Sequence, residues 1–404
     1  MVRLLLLLLI ALHGLTGCAS RSGVKDGVAA GPAELTPLQE SVKLKVRWKA
    51  SVGKNDKRFL NLNLAYEGKR IYATSYKGVV QAFDAQSGKR IWKADTKLMV
   101  SSGPGVGEGL VLLGTRDGEV IALNAEDGRK IWAAQVTGEV LAVPRAASGV
   151  VGVQTASGDL IGLDVQDGKR RWIYDRSVPT LTLRGTGSPV ISNGLIVGGF
   201  ASGKLSAIDI KNGRMVWEVS VAMPRGRSEL ERMVDIDASP IIQDGVVYAV
   251  SYQGKIAALD LATGEILWSR DMSSSAGLGV DYGRIYVTDE QSDVLALDLR
   301  NSATQWKQEA LHGRALTAPV PFQDIIAVGD FEGYLHLLEP ADGSLVGRAR
   351  VDRSGISATP LVVEDTLYVL GKGGILAAYE VQQNKKKPGK EISNLIMPEK
   401  PEQP

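Results

Sequence analysis

Short apolar runs recur along this chain at a nearly constant interval. The clearest unit reads Val247-Tyr248-Ala249-Val250-Ser251, then Tyr252-Gln253-Gly254-Lys255, then Ile256-Ala257-Ala258-Leu259-Asp260, then Leu261-Ala262-Thr263-Gly264, then Glu265-Ile266-Leu267-Trp268. Runs of this length, rich in β-branched and aromatic residues and separated by glycine turns, predict strands joined by hairpins. The same order begins at Ile71, Val111, Val151, Ile196, Val247, Ile285, Ile326 and Leu367, at spacings of 40, 40, 45, 51, 38, 41 and 41 residues. Three strands are visible in each unit and a fourth falls in the linker. That period and strand count predict an all-β chain folded as one eight-bladed β-propeller of four-stranded antiparallel blades, over residues 42–381.

Two residue types mark the repeat. The third strand ends on Asp84, Asp164, Asp209, Asp260 or Asp298, with Asn124, Glu339 and Glu380 in the equivalent place. A side-chain oxygen there can accept backbone N–H groups of the turn that follows. Each unit closes on a tryptophan, Trp92, Trp132, Trp172, Trp217, Trp268 or Trp306, which offers a large apolar surface to the neighbouring unit. Blade seven has Gly347 instead, and blade eight runs out after Glu380. One tryptophan is left, Trp48 in Val46-Arg47-Trp48-Lys49-Ala50, a segment like the outer strand Ile91-Trp92-Lys93-Ala94. The N-terminal strand is therefore expected to complete blade eight and close the ring, which removes exposed sheet edges.

The ends of the chain read differently. Met1–Arg3 carries one positive charge, Leu4–Leu12 is apolar, and Leu15-Thr16-Gly17-Cys18 follows. Nine apolar residues are too few to span a bilayer, so residues 1–17 read as a signal peptide. Leu-Thr-Gly-Cys resembles a bacterial lipobox, in which the cysteine becomes the first mature residue and carries acyl chains. Each buried CH₂ of those chains contributes about 0.8 kcal/mol of membrane binding. Ordinary secretory cleavage beside an incidental cysteine is the alternative. Cys18 is the single cysteine, so the mature domain cannot form an internal disulfide. By likeness to lipoprotein sorting signals, Ala19 points to lipid anchoring at the periplasmic face of the outer membrane. Residues 18–41 are expected to be the lipidated cysteine and a flexible tether, and residues 382–404, with Lys385-Lys386-Lys387-Pro388, a disordered tail.

Composition changes this picture only by exclusion. The chain has 404 residues and a net charge of +2, from 47 basic and 45 acidic side chains, which does not describe a nucleic-acid binder. The mature domain holds two histidines, His312 and His336, too few for a histidine-rich metal cluster. No P-loop, nucleophile elbow or zinc motif is present. The acids with a clear register recur in nearly every blade, whereas a catalytic carboxylate should be singular. No catalytic residue, metal, cofactor or small-molecule substrate is expected.

Loop length supplies the candidate site. From each tryptophan to the next repeat start, beginning at Trp48, the gaps are 23, 19, 19, 24, 30, 17 and 20 residues. The two longest, Trp172 to Ile196 and Trp217 to Val247, are adjacent, and added length on one side of a repeat protein marks a binding face. The first contains Val178-Pro179-Thr180-Leu181-Thr182-Leu183-Arg184-Gly185. The second contains Arg225-Gly226-Arg227-Ser228-Glu229-Leu230-Glu231-Arg232-Met233-Val234-Asp235-Ile236-Asp237. Leucines beside an arginine, near paired aspartates, suit an apolar contact with charged surroundings. Turn capping by Asp235 and Asp237, and inner-strand packing by Leu181 and Leu183, are the structural alternatives.

The pattern Ala-x-Asp-x-x-Thr-Gly-x-x-x-Trp, seen from Ala258 to Trp268, resembles the repeat of pyrroloquinoline-quinone (PQQ) dehydrogenase propellers. From the lipobox to about Tyr379 the chain resembles the BamB family, lipoproteins of the outer-membrane β-barrel assembly machinery. The most specific segments are Leu181-Thr182-Leu183-Arg184-Gly185, Arg232-Met233-Val234-Asp235-Ile236-Asp237 and Gly329-Asp330-Phe331-Glu332-Gly333-Tyr334-Leu335-His336. The resemblance implies a non-enzymatic scaffold that binds the periplasmic POTRA region of the central barrel subunit, BamA, and assists insertion of outer-membrane proteins. It also implies that Leu181, Leu183, Arg184, Asp235 and Asp237 belong to the partner-binding surface. The long Lys/Pro-rich tail departs from that family. A quinoprotein dehydrogenase is the enzyme alternative. It would hold PQQ with Ca²⁺ in the central funnel, use an Asp base and commonly carry a vicinal disulfide, which the single cysteine does not fit. A propeller adaptor for another periplasmic partner is the third reading.

Overall fold

A computed structural model describes residues 31–54, 60–176, 183, 187–281 and 283–383. Eight separate antiparallel sheets follow one another along the chain, and successive innermost strands pack side by side, so the molecule is an eight-bladed β-propeller. Blade five is typical, with strands Ile241–Gln243, Val246–Val250, Gly254–Asp260 and Ile266–Met272 from inside to outside. The second and third strands are almost continuously buried, because each is covered by a sheet on both faces. The recurring repeat starts therefore mark second strands, and the strand expected in the linker is the innermost one. Blade two departs slightly: Asn61–Leu62 adds a short fifth strand, parallel to Val100–Gly107.

Blade eight takes its inner three strands, Leu361–Val363, Thr366–Leu370 and Ile375–Gln383, from the C-terminal end of the propeller. Its outer strand is Val42–Ser51, paired antiparallel with Ile375–Gln383 from Val42 opposite Gln383 to Ser51 opposite Ile375. Closure by the N-terminal strand is thus a fact of the fold. The third strand runs two residues past the expected propeller boundary at 381.

Seven tryptophans each lock one blade to the next. The indole Nε1–H groups of Trp48, Trp92, Trp132, Trp172, Trp217, Trp268 and Trp306 donate to the carbonyls of Ala85, Ala125, Val165, Ile210, Leu261, Leu299 and Pro340, all at 2.8–3.0 Å. Every acceptor directly follows the acid or asparagine that ends a third strand in the following blade. That side chain in turn holds its own turn: Asp260 Oδ1 accepts the N–H groups of Ala262 and Thr263 and the Thr263 hydroxyl. Asp84, Asp164, Asp209 and Asp298 accept turn N–H groups in the same way. Just ahead of each latch tryptophan the pairing slips by one residue, as between Ala258 and Leu259. Such a bulge re-aims the side chain that follows it. Here it turns the indole toward the neighbouring blade and leaves the bulged residue outside, which explains exposed Ile91, Ile131, Val216 and Leu267.

Gly347 now has a physical reason. Blade eight assembles its third and outer strands from opposite ends of the chain, so no turn joins them to receive a tryptophan from blade seven. The entering chain occupies that place instead: a Cβ on Gly347 would lie 2.4 Å from the Val42 carbonyl oxygen.

The segment before the closing strand is also fixed, which narrows the expected tether. Ala33 N–H donates to the His312 carbonyl at 2.8 Å, and Ser41 N–H to the Val346 carbonyl at 3.0 Å. Leu35 packs into the apolar cluster containing Trp306, Leu311 and Leu316. Buried Arg314 donates to the Ala33 carbonyl at 2.9 Å while its guanidinium pairs with Asp330 at 2.7 Å and also with Glu332. Asp330 accepts the Glu332 and Tyr334 N–H groups and lies 2.9 Å from His336 Nε2. Burial pushes the Asp330 carboxyl up, but His336, the Tyr334 N–H and Arg314 outweigh it and hold it below the usual range. The run Gly329–His336 thus carries, in Asp330 and His336, a buried polar network that pins the chain entering the propeller.

Candidate functional site

Neighbouring strands of a blade run antiparallel, so two kinds of connection share one face. These are the hairpin between second and third strands and the link from an outer strand to the next inner strand. Both expanded connections are links of that second kind. One runs from Arg170–Tyr174 to Val190–Ser192, the other from Met215–Ser220 to Ile241–Gln243. They flank blade four on the same face. Cys18, Leu181 and Arg184 lie outside the described residues; Leu183, Asp235 and Asp237 lie within them.

Asp235 joins the two connections. Its side chain is fully buried, and Oδ2 accepts the backbone N–H of Leu183 from the other connection. Its own carbonyl accepts the Tyr252 N–H at 2.7 Å, an isolated bridge to the hairpin of blade five. Asp235 Oδ1 and Asp237 Oδ2 are buried and have no hydrogen-bond partner among the described residues. Burial raises the Asp235 carboxyl to about 6, against the Leu183 N–H that lowers it. Burial, then the charges of Asp235 and of Glu290 on blade six, raise Asp237 to about 7. Glu290 is itself raised by burial, although the Ser275 hydroxyl donates to it at 3.4 Å. An uncompensated buried carboxylate is unfavourable, and proteins tolerate it where function over-determines the geometry.

Turn capping, the structural alternative for Asp235, can be weighed against its position. Asp235 does not cap its own turn; it fixes the backbone of a segment 52 residues away. It sits beneath the surface, where it holds the Leu183 backbone and is not itself displayed to solvent. The close approach of the two connections continues at Gly187, where a Cβ would lie 2.7 Å from the Ala238 carbonyl oxygen, and at Ser188, whose N–H donates to Ser239 Oγ at 2.9 Å. The glycine at 187 is the sequence signal for that contact.

Outside the cross-tie, the second connection makes an exposed excursion between two buried feet. Val221 and Ala222 are buried on one side, and Met233, Val234 and Ile236 on the other. Among the described residues, no group of three or more His, Cys, Asp or Glu side chains is arranged to hold a metal ion.

A blade ring of this repeat, latched by tryptophans and carrying two cross-tied connections on one face, defines the class: a PQQ-like-repeat β-propeller. The solved quinohemoprotein alcohol dehydrogenase from Comamonas testosteroni shares that fold, with a TM-score of 0.66, 15% identity and coverage of 83% of this chain. Within the class, residues 45–308 match the family model described as outer membrane protein assembly factor BamB. A relative from Pseudomonas aeruginosa carrying that name is 52% identical over 377 residues, which are 93% of this chain and 98% of that protein. One from Yersinia pestis is 35% identical, covering 93% of this chain and 98% of the relative. The crystal structure of BamB from Moraxella catarrhalis aligns with a TM-score of 0.78 at 27% identity, covering 84% of this chain and all of that one. The chain belongs to the BamB family of outer membrane protein assembly factors.

Proposed function

We propose that this protein is a non-enzymatic scaffold of the outer-membrane β-barrel assembly machinery, anchored by lipid on Cys18 at the periplasmic face. In this reading the face carrying the two expanded connections binds the POTRA region of the central barrel subunit, BamA. Leu181 and Leu183 supply apolar contact and Arg184 supplies charge, while Asp235 holds the first connection in place and Asp237, buried close by, adds a second acidic group beneath the face. The observation that carries the reading is the Asp235–Leu183 cross-tie. It gives two loops that are long and adjacent in the ring one shared, preorganised surface, and preorganisation lowers the entropic cost of association. The repeat carboxylates, by contrast, are engaged by the N–H groups of their own turns, which is a structural task and not a catalytic one.

Titration with POTRA domains tests the reading. Arg184→Glu is expected to weaken binding about thirtyfold while leaving the melting temperature unchanged, as for truncation of a central contact. Wild-type affinity in that variant, or a loss explained by melting, would remove the proposed interface. For the anchor, Cys18→Ser is expected to abolish fatty-acid labelling and release the protein from membranes.

A further inference from the structure

The excursion between Ala222 and Met233 is not a slack loop. Ser228 and Glu231 form a reciprocal capping box: Glu231 N–H donates to Ser228 Oγ at 3.2 Å, and Glu231 Oε2 accepts the Ser228 N–H at 3.2 Å. The same carboxylate oxygen accepts the Arg227 N–H at 2.7 Å. Arg232 N–H closes the turn onto the Ser228 carbonyl at 3.1 Å. The Arg227 and Ser228 N–H groups hold the Glu231 carboxyl below its usual range even though it lies at the surface. A capping box satisfies backbone groups reciprocally and fixes the turn it opens.

The residue this turn displays is apolar. Leu230 sits at its crest and is 61% exposed. A single exposed leucine is ordinary. A leucine displayed on a turn held by four hydrogen bonds, whose downstream foot is Asp235 of the cross-tie, is placed to be contacted. The stretch Arg225–Arg232 also carries three arginines and two glutamates. Of the glutamates, Glu231 is engaged by backbone N–H groups and Glu229 is paired with Arg232 at 3.9 Å. Arg227 remains to give the turn a positive edge, while Arg225 lies close enough to Asp271 of blade five to lower that carboxyl.

We propose that the capped turn presents Leu230 as a further apolar anchor of the partner-binding face, fitting a partner surface with an apolar pocket and an acidic rim. This deepens the proposed scaffold reading and rests on it, the occupant being a POTRA domain. The turn is ordered before binding, so Leu230 contributes contact without the ordering penalty of a loose loop.

The experiment titrates POTRA domains with the full-length wild type, Leu230→Ser, Leu230→Met, Ser228→Ala and Arg184→Glu, with a thermal melt for each. Leu230→Ser is expected to lose about tenfold in affinity, the scale of a well-buried interface contact. Leu230→Met is expected to stay within about threefold, since it keeps apolar volume. Ser228→Ala should lose a smaller factor, through the dissociation rate, because it loosens the turn and leaves the contact chemistry intact. Melting temperatures should not move for either Leu230 variant. If Leu230→Ser binds like wild type while Arg184→Glu does not, the anchor is overturned and the scaffold reading stands. If Leu230→Ser melts earlier in proportion to its lost binding, Leu230 is a packing residue and the anchor is again overturned. If wild type does not bind POTRA domains at all, both fall.

Discussion

The smallest unit that explains this molecule is three residues in two blades: a tryptophan, the acid-ended turn that accepts its N–H, and the glycine on which its ring lies. Gly264 has φ +75°, and a Cβ there would come within 2.7 Å of the Trp217 ring. Gly264→Ala is therefore expected to destabilise by more than the roughly 1 kcal/mol of a left-handed alanine alone. Asp260→Ala, which frees two turn N–H groups, should cost about 1–2 kcal/mol. Unfolding midpoints in urea would separate the two, and an unchanged Gly264→Ala protein would contradict the latch. These residues were legible because the repeat prints them at fixed spacing. What they touch was not, since the partner of each tryptophan lies in the next unit. Asp235 and Asp237 show the opposite case, in which a single residue's environment sets a property. Both carboxyls titrate above their ordinary value of 3.8, at about 6 and about 7. The native state therefore holds those protons more tightly than the unfolded chain. The stability they contribute is fully present below about pH 4 and lost as pH rises through about 6–7. The amide in Asp235→Asn can still accept the Leu183 N–H but carries no charge. Its melting temperature should gain on wild type as pH rises from about 4 to about 6 and keep that gain above it; a pH-independent difference would refute the burial argument.

At the scale of elements, the sequence shows where the connections lengthen and does not show which acid turns inward. Loop length is a one-dimensional quantity, read directly from the tryptophan-to-strand gaps. The burial of Asp235 depends on a segment 52 residues earlier in the chain, and neither segment alone signals the pairing. The same limit applies to the capping box at Ser228–Glu231, whose residues are visible in sequence but whose display of Leu230 depends on the buried feet. An element-level consequence follows from the cross-tie. Replacing Asp235 with Ala removes the acceptor for Leu183 N–H, so hydrogen exchange at Leu183 should accelerate and POTRA affinity should fall, while blades distant from the site keep their protection. Asp260→Ala is the matched control, lowering stability with little change of affinity in the folded fraction. Slow exchange at Leu183 in Asp235→Ala would show that the first connection does not depend on this carboxylate.

For the whole molecule, the decisive feature is that eight joints between blades are served by seven tryptophans. The joint without one lies between blades seven and eight, where the third and outer strands come from opposite ends of the chain and no turn exists to accept an indole. Val42 and the Ser41–Val346 hydrogen bond secure that joint instead, and the segment from Pro32 to Leu35 is held one joint earlier, through His312 and Arg314 in the link between blades six and seven. The tether expected from residues 18–41 is thus two things: residues up to 31, expected to link domain and lipid, and a strap that belongs to the propeller. On the far side of the closing strand, Trp48 bridges blade eight to blade one. Its N–H reaches the Ala85 carbonyl at 2.9 Å, and its ring lies against Phe83 and Tyr368. Removing a buried aromatic of this kind costs about 3–5 kcal/mol. Trp48→Ala should therefore lower the unfolding midpoint strongly, because it opens the one blade that covalent connection does not close. Deleting residues 19–31 should leave the midpoint near wild type. Deleting residues 19–41 should lower it, since Leu35 leaves its apolar cluster and Arg314 loses the Ala33 carbonyl. Thermal and urea melts of the three proteins give a direct ranking. Equal midpoints for Trp48→Ala and the 19–31 deletion would mean that the ring does not depend on its N-terminal strand. Equal midpoints for the two deletions would mean that the strap, although bound, adds nothing to closure.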